Sequence, residues 1–99
     1  MANTKRQTKR NAAIGWQIGQ LYLVRTVTNY LLGRLAAVGE YELTLTECAW
    51  VASTGRFAEA LITGTLDEVE PYPDGPVLVG RGAIVDACLW AHAAARSVK

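Results

Sequence analysis

Six residues near the middle of the chain, Tyr41-Glu42-Leu43-Thr44-Leu45-Thr46, alternate apolar and polar without a fault. That period of two suits a strand with one wet face and is wrong for a helix. It places Tyr41, Leu43 and Leu45 inward and Glu42, Thr44 and Thr46 outward. Similar short runs flank it, each cut by glycine or proline. Residues 21–29 set Leu21, Leu23 and Val27 on one parity and Tyr22, Val24, Thr26 and Thr28 on the other, rich in β-branched side chains. Residues 31–38 continue as a second strand with Gly33 as its bend, since a residue without a side chain lets a small sheet curl. Gly39-Glu40 is the turn into the alternating strand, and the apolar residues 48–52 either finish that strand or cross to another element. Further on, 66–70 is extended, 71–76 (Pro-Tyr-Pro-Asp-Gly-Pro) is a rigid turn, and 77–79 and 83–85 are short strands about Gly80-Arg81-Gly82.

One segment breaks the pattern. Residues 54–63 read as a helix: Thr54 as its cap, Phe57, Ala60 and Leu61 three and four apart on one side, and Gly64 as its stop. Residues 12–20 form a short helix or irregular lead-in, and the alanine-rich 88–98 is open between a last strand and a terminal helix. The expected fold is mainly β, a small, strongly bent antiparallel sheet or barrel of five to six strands with one short inserted helix.

With 99 residues, 51% hydrophobic and 19% charged, the chain has room for one small core. Residues 12–99 are the single β-barrel domain. Residues 1–11 have no large apolar side chain after Met1 and read as a flexible basic arm. A core this small favours association with further copies, and three tryptophans, Trp16, Trp50 and Trp90, are more than such a barrel readily encloses, so at least one is expected at a subunit contact. No apolar stretch approaches the roughly 20 residues of a spanning helix, because Asp86 and His92 interrupt the longest, and no apolar region follows the basic start as in an export signal. The expectation is a cytoplasmic protein with no membrane partner, its two cysteines, Cys48 and Cys88, reduced within apolar runs.

The supply of reactive groups is thin, and the expectation is a protein that is not an enzyme and carries no catalytic residue, metal or cofactor. Cys88 and His92 would share a face on a helix, but on a strand they stand roughly 13 Å apart and read as packing plus a surface histidine. Zinc needs four ligands, and Cys48, Cys88 and His92 supply three without close pairing. The acids Asp67, Glu68, Glu70 and Asp74 read as a solvated strand edge and turn. Two places are suited to a partner. Gly80, Arg81 and Gly82 make a tight loop offering a guanidinium and adjacent N–H groups to a phosphate-bearing ligand. Lys5, Arg6, Lys9 and Arg10 give the first ten residues +4 and leave −3 on the rest, so the arm suits phosphates or an acidic groove on a neighbour.

Two resemblances follow from these segments. Over residues 21–85 the order of a first extended strand, a bent strand with Gly33-Arg34-Leu35, the alternating strand 41–46, and Val77-Leu78-Val79-Gly80-Arg81-Gly82-Ala83-Ile84-Val85 is similar to the Sm-like, SH3-like barrel family. That family forms rings of six or seven copies and binds RNA through two loops, which implies Arg81 and Gly82 at a ring pore. The chain departs from it in lacking Asp and Asn in the loop 38–41 and in carrying its helix at 54–63 rather than at the start. Separately, Ala49-Trp50-Val51, Thr54-Gly55-Arg56-Phe57, the stretch 70–76 and Arg81-Gly82-Ala83-Ile84-Val85-Asp86-Ala87 resemble a family of small tailed-phage and prophage proteins with no assigned activity. Together they imply a phage accessory protein in the host cytoplasm, a homo-oligomeric barrel binding RNA, DNA or a nucleotide. The alternatives are a virion component whose arm reaches neighbouring subunits, in the capsid or at the head-tail junction, and an inhibitor of a host protein.

Overall fold

The computed structural model describes residues 15–99, and the basic arm lies outside them. Six strands, β1 (Leu21–Thr26), β2 (Tyr30–Val38), β3 (Glu42–Ser53), β4 (Glu68–Pro71), β5 (Val77–Gly80) and β6 (Ile84–Leu89), pair antiparallel throughout, with one short helix, α1 (Phe57–Thr63), between β3 and β4. The hydrogen-bonded order is β4-β3-β2-β1-β6, and β5 also pairs with β3. β3 spans 12 residues, long enough to hold two partners end to end, β5 along Glu42 to Leu45 and β4 along Ala49 to Ser53. The apolar residues 48–52 therefore finish the strand.

The connection from β5 to β6 shows that the sheet curls. These strands are the two ends of the path β5-β3-β2-β1-β6, which in a flat sheet would set them about 19 Å apart, four strand spacings of about 4.8 Å. A single 3₁₀ turn, Arg81–Ala83, joins them, and three residues at about 2 Å each cover about 6 Å. Two register shifts build the curl. Leu32 pairs with Ala49 and Arg34 with Thr46, so β3 carries one residue more than β2 opposite Gly33. The extra residue gives Glu47 its left-handed backbone, φ 48°. Gly33 meets this point closely: a Cβ there would lie 3.0 Å from the Leu45 Cβ and 3.3 Å from the Cys48 Cβ. The bend expected at Gly33 is present, and it comes from this bulge.

The curl separates two apolar clusters. Tyr22, Val24, Leu31, Leu35, Leu43, Leu45, Cys48 and Val79 fill the inside. Leu21, Leu23, Leu32, Ala49, Val51 and Val69 line the opposite face, where Ala60 of α1, Leu66 and Trp90 cover them. The first four residues of β1 are thus buried on both faces. α1 is there to close the second cluster rather than the first.

Several sequence expectations are corrected. β1 stops at Thr26, where the Thr26 hydroxyl donates to Asn29 and forms a turn that leaves Val27 74% exposed. Tyr41 lies in the turn before β3 and is also exposed. Thr54 does not cap α1: its hydroxyl donates to the Gly55 carbonyl, and the helix starts at Phe57 behind Arg56 with no side-chain cap. Beyond β6 the tail is neither strand nor helix. Trp90 pins it into the outer cluster, and Lys99 exchanges backbone hydrogen bonds with Val69 along β4. Residues 15–20 are irregular. Among the described residues no helix is long and apolar enough to cross a membrane.

Candidate binding site at the Arg81 turn

Gly80, Arg81 and Gly82 lie exposed where the chain passes from one end of the curled sheet to the other. The expected loop between two strands is a 3₁₀ turn, and β5 and β6 do not pair with each other. The turn is held to the β2–β3 loop at two points. The Arg81 amide N–H donates to the Tyr41 carbonyl at 2.9 Å, and its Nη1 donates to the Gly39 carbonyl at 2.8 Å. One expected N–H is therefore already used, while the rest of the guanidinium fork faces solvent. Neither flanking glycine has a positive φ, and a Cβ at either would meet nothing within 4 Å. They are not demanded by the backbone here; their effect is open space on both sides of Arg81.

The electrostatics around the turn are mixed. Arg81 leans on a loop that carries Glu40, with Glu42 opposite Gly80 in the β3–β5 ladder. The carboxylate of Asp86 is not its partner: Arg25 holds it with two hydrogen bonds and keeps its pKa below the usual carboxylate range. Arg34 Nε donates a single hydrogen bond to Glu47 beside the β3 bulge at 2.6 Å and likewise lowers its pKa, while Arg34 Nη1 donates to the Gly19 carbonyl. Lys5, Arg6, Lys9 and Arg10 lie outside the described residues.

The groups weighed for chemistry are dispersed. His92 sets Nε2 2.9 Å from the Leu61 carbonyl, rests edge-on to Trp90 at 5.1 Å and presses on Gly64, where a Cβ would fall 2.6 Å from the imidazole. It is half-buried and ties the tail to α1. Burial, aided by the charge of Asp86, pushes the Cys88 thiol up, and burial takes Cys48 to about 11, so neither is a thiolate at neutral pH. Both cysteines are free, Cys48 in the inner cluster and Cys88 against the outer one. Among the described residues no three His, Cys, Asp or Glu side chains are placed to hold a metal ion.

Sequence reasoning missed one surface, at Leu78 and Val85, and named Trp50 only as one of three tryptophans of which at least one was expected at a subunit contact. Leu78 on β5 and Val85 on β6 are 65% and 56% exposed on strands that each have one ladder partner among the described residues. Trp50 stands out from β3 between two shallow clefts, one of about 400 Å³ with Asn29, Pro71, Tyr72 and Pro73, the other of about 380 Å³ with Glu68 and Val98; Glu70 lines both. Exposed alternation carries no sequence sign of being a surface for contact, and only the pairing map reveals that these strands end the sheet. Trp16 behaves differently: it packs edge-on to Tyr22 at 5.0 Å and borders a cleft with Ile84, Val85 and Asp86. The chain matches no protein-family model, no curated protein and no solved structure.

Proposed function

We propose that the protein is a non-enzymatic, self-assembling β-barrel module that takes a phosphate-bearing ligand, nucleic acid or nucleotide, at the Arg81 turn. The observation that carries this reading is the pair of strand edges that have no ladder partner among the described residues. β5 and β6 end the curled sheet, expose Leu78 and Val85, and are joined by the three residues that hold Arg81. An unpaired strand edge is a template for another chain. A β5 edge laid on the β6 edge of the next copy continues the sheet head to tail, and such a contact closes into a ring or runs on as a filament. Either way the Arg81 turns repeat along one line. The sequence resemblance to Sm-like barrels is consistent with this arrangement, and the resemblance to tailed-phage proteins sets it in an infected cell, in the host cytoplasm or with the virion.

Glu40 and Glu42 make the recognition depend on the fork of donors rather than on net positive potential. The test is titration of a labelled single-stranded oligonucleotide, and separately of a nucleotide, into the wild type, Arg81→Ala and Arg81→Lys. The reading expects Arg81→Ala to lose at least tenfold in affinity with the assembled mass intact, and Arg81→Lys to recover part of it. Unchanged affinity in Arg81→Ala, or no binding by the wild type, contradicts the ligand site.

A further inference from the structure

Trp50 and the carboxylates beside it form a surface with the chemistry of a cation receptor. Trp50 is opposite Glu70 in the β3–β4 ladder, and Glu68, two residues along β4, borders the same cleft. An aromatic face with flanking carboxylates binds ammonium and guanidinium groups, since the ring quadrupole and the ion pair attract the same charge. Tyr72 and two prolines extend the surface with rigid apolar area. The β4 edge next to it is already taken, because Val69 and Lys99 exchange backbone hydrogen bonds. An occupant therefore lies across the face of the sheet rather than adding a strand.

The chain itself carries such an occupant. Its first ten residues hold Lys5, Arg6, Lys9 and Arg10 and no acid, while residues 15–99 carry six bases against nine acids. The described chain begins beside β6, where Gly15 and Trp16 share a cleft with Ile84, Val85 and Asp86. β4 and β5 lie on the same side of β3. If β6 receives the β5 of the next copy, the root of the arm stands beside that β5, one strand from the Glu42 to Leu45 part of β3, and the surface at Trp50 follows further along β3. From Leu45 to Trp50 is about 17 Å of strand, and the 14 residues before Gly15 span up to about 46 Å. We infer that residues 1–10 of one copy dock on the Trp50–Glu70 surface of its neighbour, clasping the assembly with four cations against an aromatic and acidic face. This rests on the edge-to-edge assembly proposed above.

Zero-length carbodiimide coupling tests it, using nuclease-treated full-length protein mixed from ¹⁴N- and ¹⁵N-labelled copies, with the native mass measured on the same sample. The inference expects mixed-isotope links from Lys5 or Lys9 to Glu68 or Glu70. Trp50→Ala should lower their yield several-fold, with both carboxylates still present and the mass unchanged. Links within single copies only, or arm links that avoid β4 in a sample of assembled mass, overturn the docking and leave the assembly standing. A monomeric mass overturns the assembly itself, and with it the neighbour as host for the arm.

Discussion

Gly33 is the residue on which the shape of the barrel turns. Its missing side chain lets β2 approach the β3 bulge to within a distance that leaves a Cβ 3.0 Å from Leu45. Gly33→Ala should therefore cost about 1–3 kcal/mol from overpacking, measured as a fall in the urea midpoint without a change in slope. Leu45→Ala removes a fully buried side chain from the same place and should cost about 2–5 kcal/mol. Cys48 adds a pH dependence. Its thiol is held neutral up to about 11 in the folded chain against 9.0 ordinarily. The folded value is the raised one, so this contribution is complete below pH 9 and is lost as pH climbs through the folded value. Thermal melts should show stability falling across that interval, and Cys48→Ala should flatten the fall. The ion pairs Arg25–Asp86 and Arg34–Glu47 behave in the opposite sense. Their carboxylates are depressed, so their support is present at neutral pH and lost in acid; both pairs are exposed and salt screens them.

Among the elements, the irregular tail does what a further regular element would do elsewhere. Trp90 is 5% exposed, donates its indole N–H to the Ala93 carbonyl and completes the outer cluster with α1. Trp90→Ala should cost about 3–5 kcal/mol, comparable to a loss from the barrel interior, and the measurement is again urea unfolding. A second prediction concerns the open strands. Leu78→Lys together with Val85→Lys should leave the circular dichroism spectrum unchanged, since both side chains face solvent, while lowering the native mass to that of one copy. The alternation at Leu43 and Leu45 made β3 legible from sequence, as did the glycine at the β2 bend and the apolar stripe of α1. The limits of each element were not legible, for physical reasons. Tyr41 keeps the right parity but falls in the turn before β3, where its carbonyl meets the Arg81 turn and its side chain stays exposed. Glu47 inserts a residue and buries Cys48 and Ala49 side by side, against strict alternation. The tail depends on Gly64, Leu61 and Val69, all remote in sequence from the residues that meet them. At the site, Arg81 was legible as an arginine between glycines, but its seat on Gly39 and Tyr41 arises from the curl of the whole sheet.

For the whole molecule, the two clusters cover both faces of β1 along its first four residues, and the exposed apolar side chains include Leu78, Val85 and Leu89 on the strands that end the sheet and Trp50 on β3. On the proposed reading, the β5 and β6 edges make the assembly, Arg81 repeats along it, and the aromatic and acidic face receives the basic arm. The claim on which the others depend is association through β5 and β6. Sedimentation equilibrium of the full-length protein at micromolar concentration after nuclease treatment measures it directly. The account predicts a mass that is a multiple of 10.7 kDa and falls to a single copy in the Leu78→Lys, Val85→Lys variant. A mass of one copy for the wild type, or an assembled mass indifferent to those two substitutions, would contradict it.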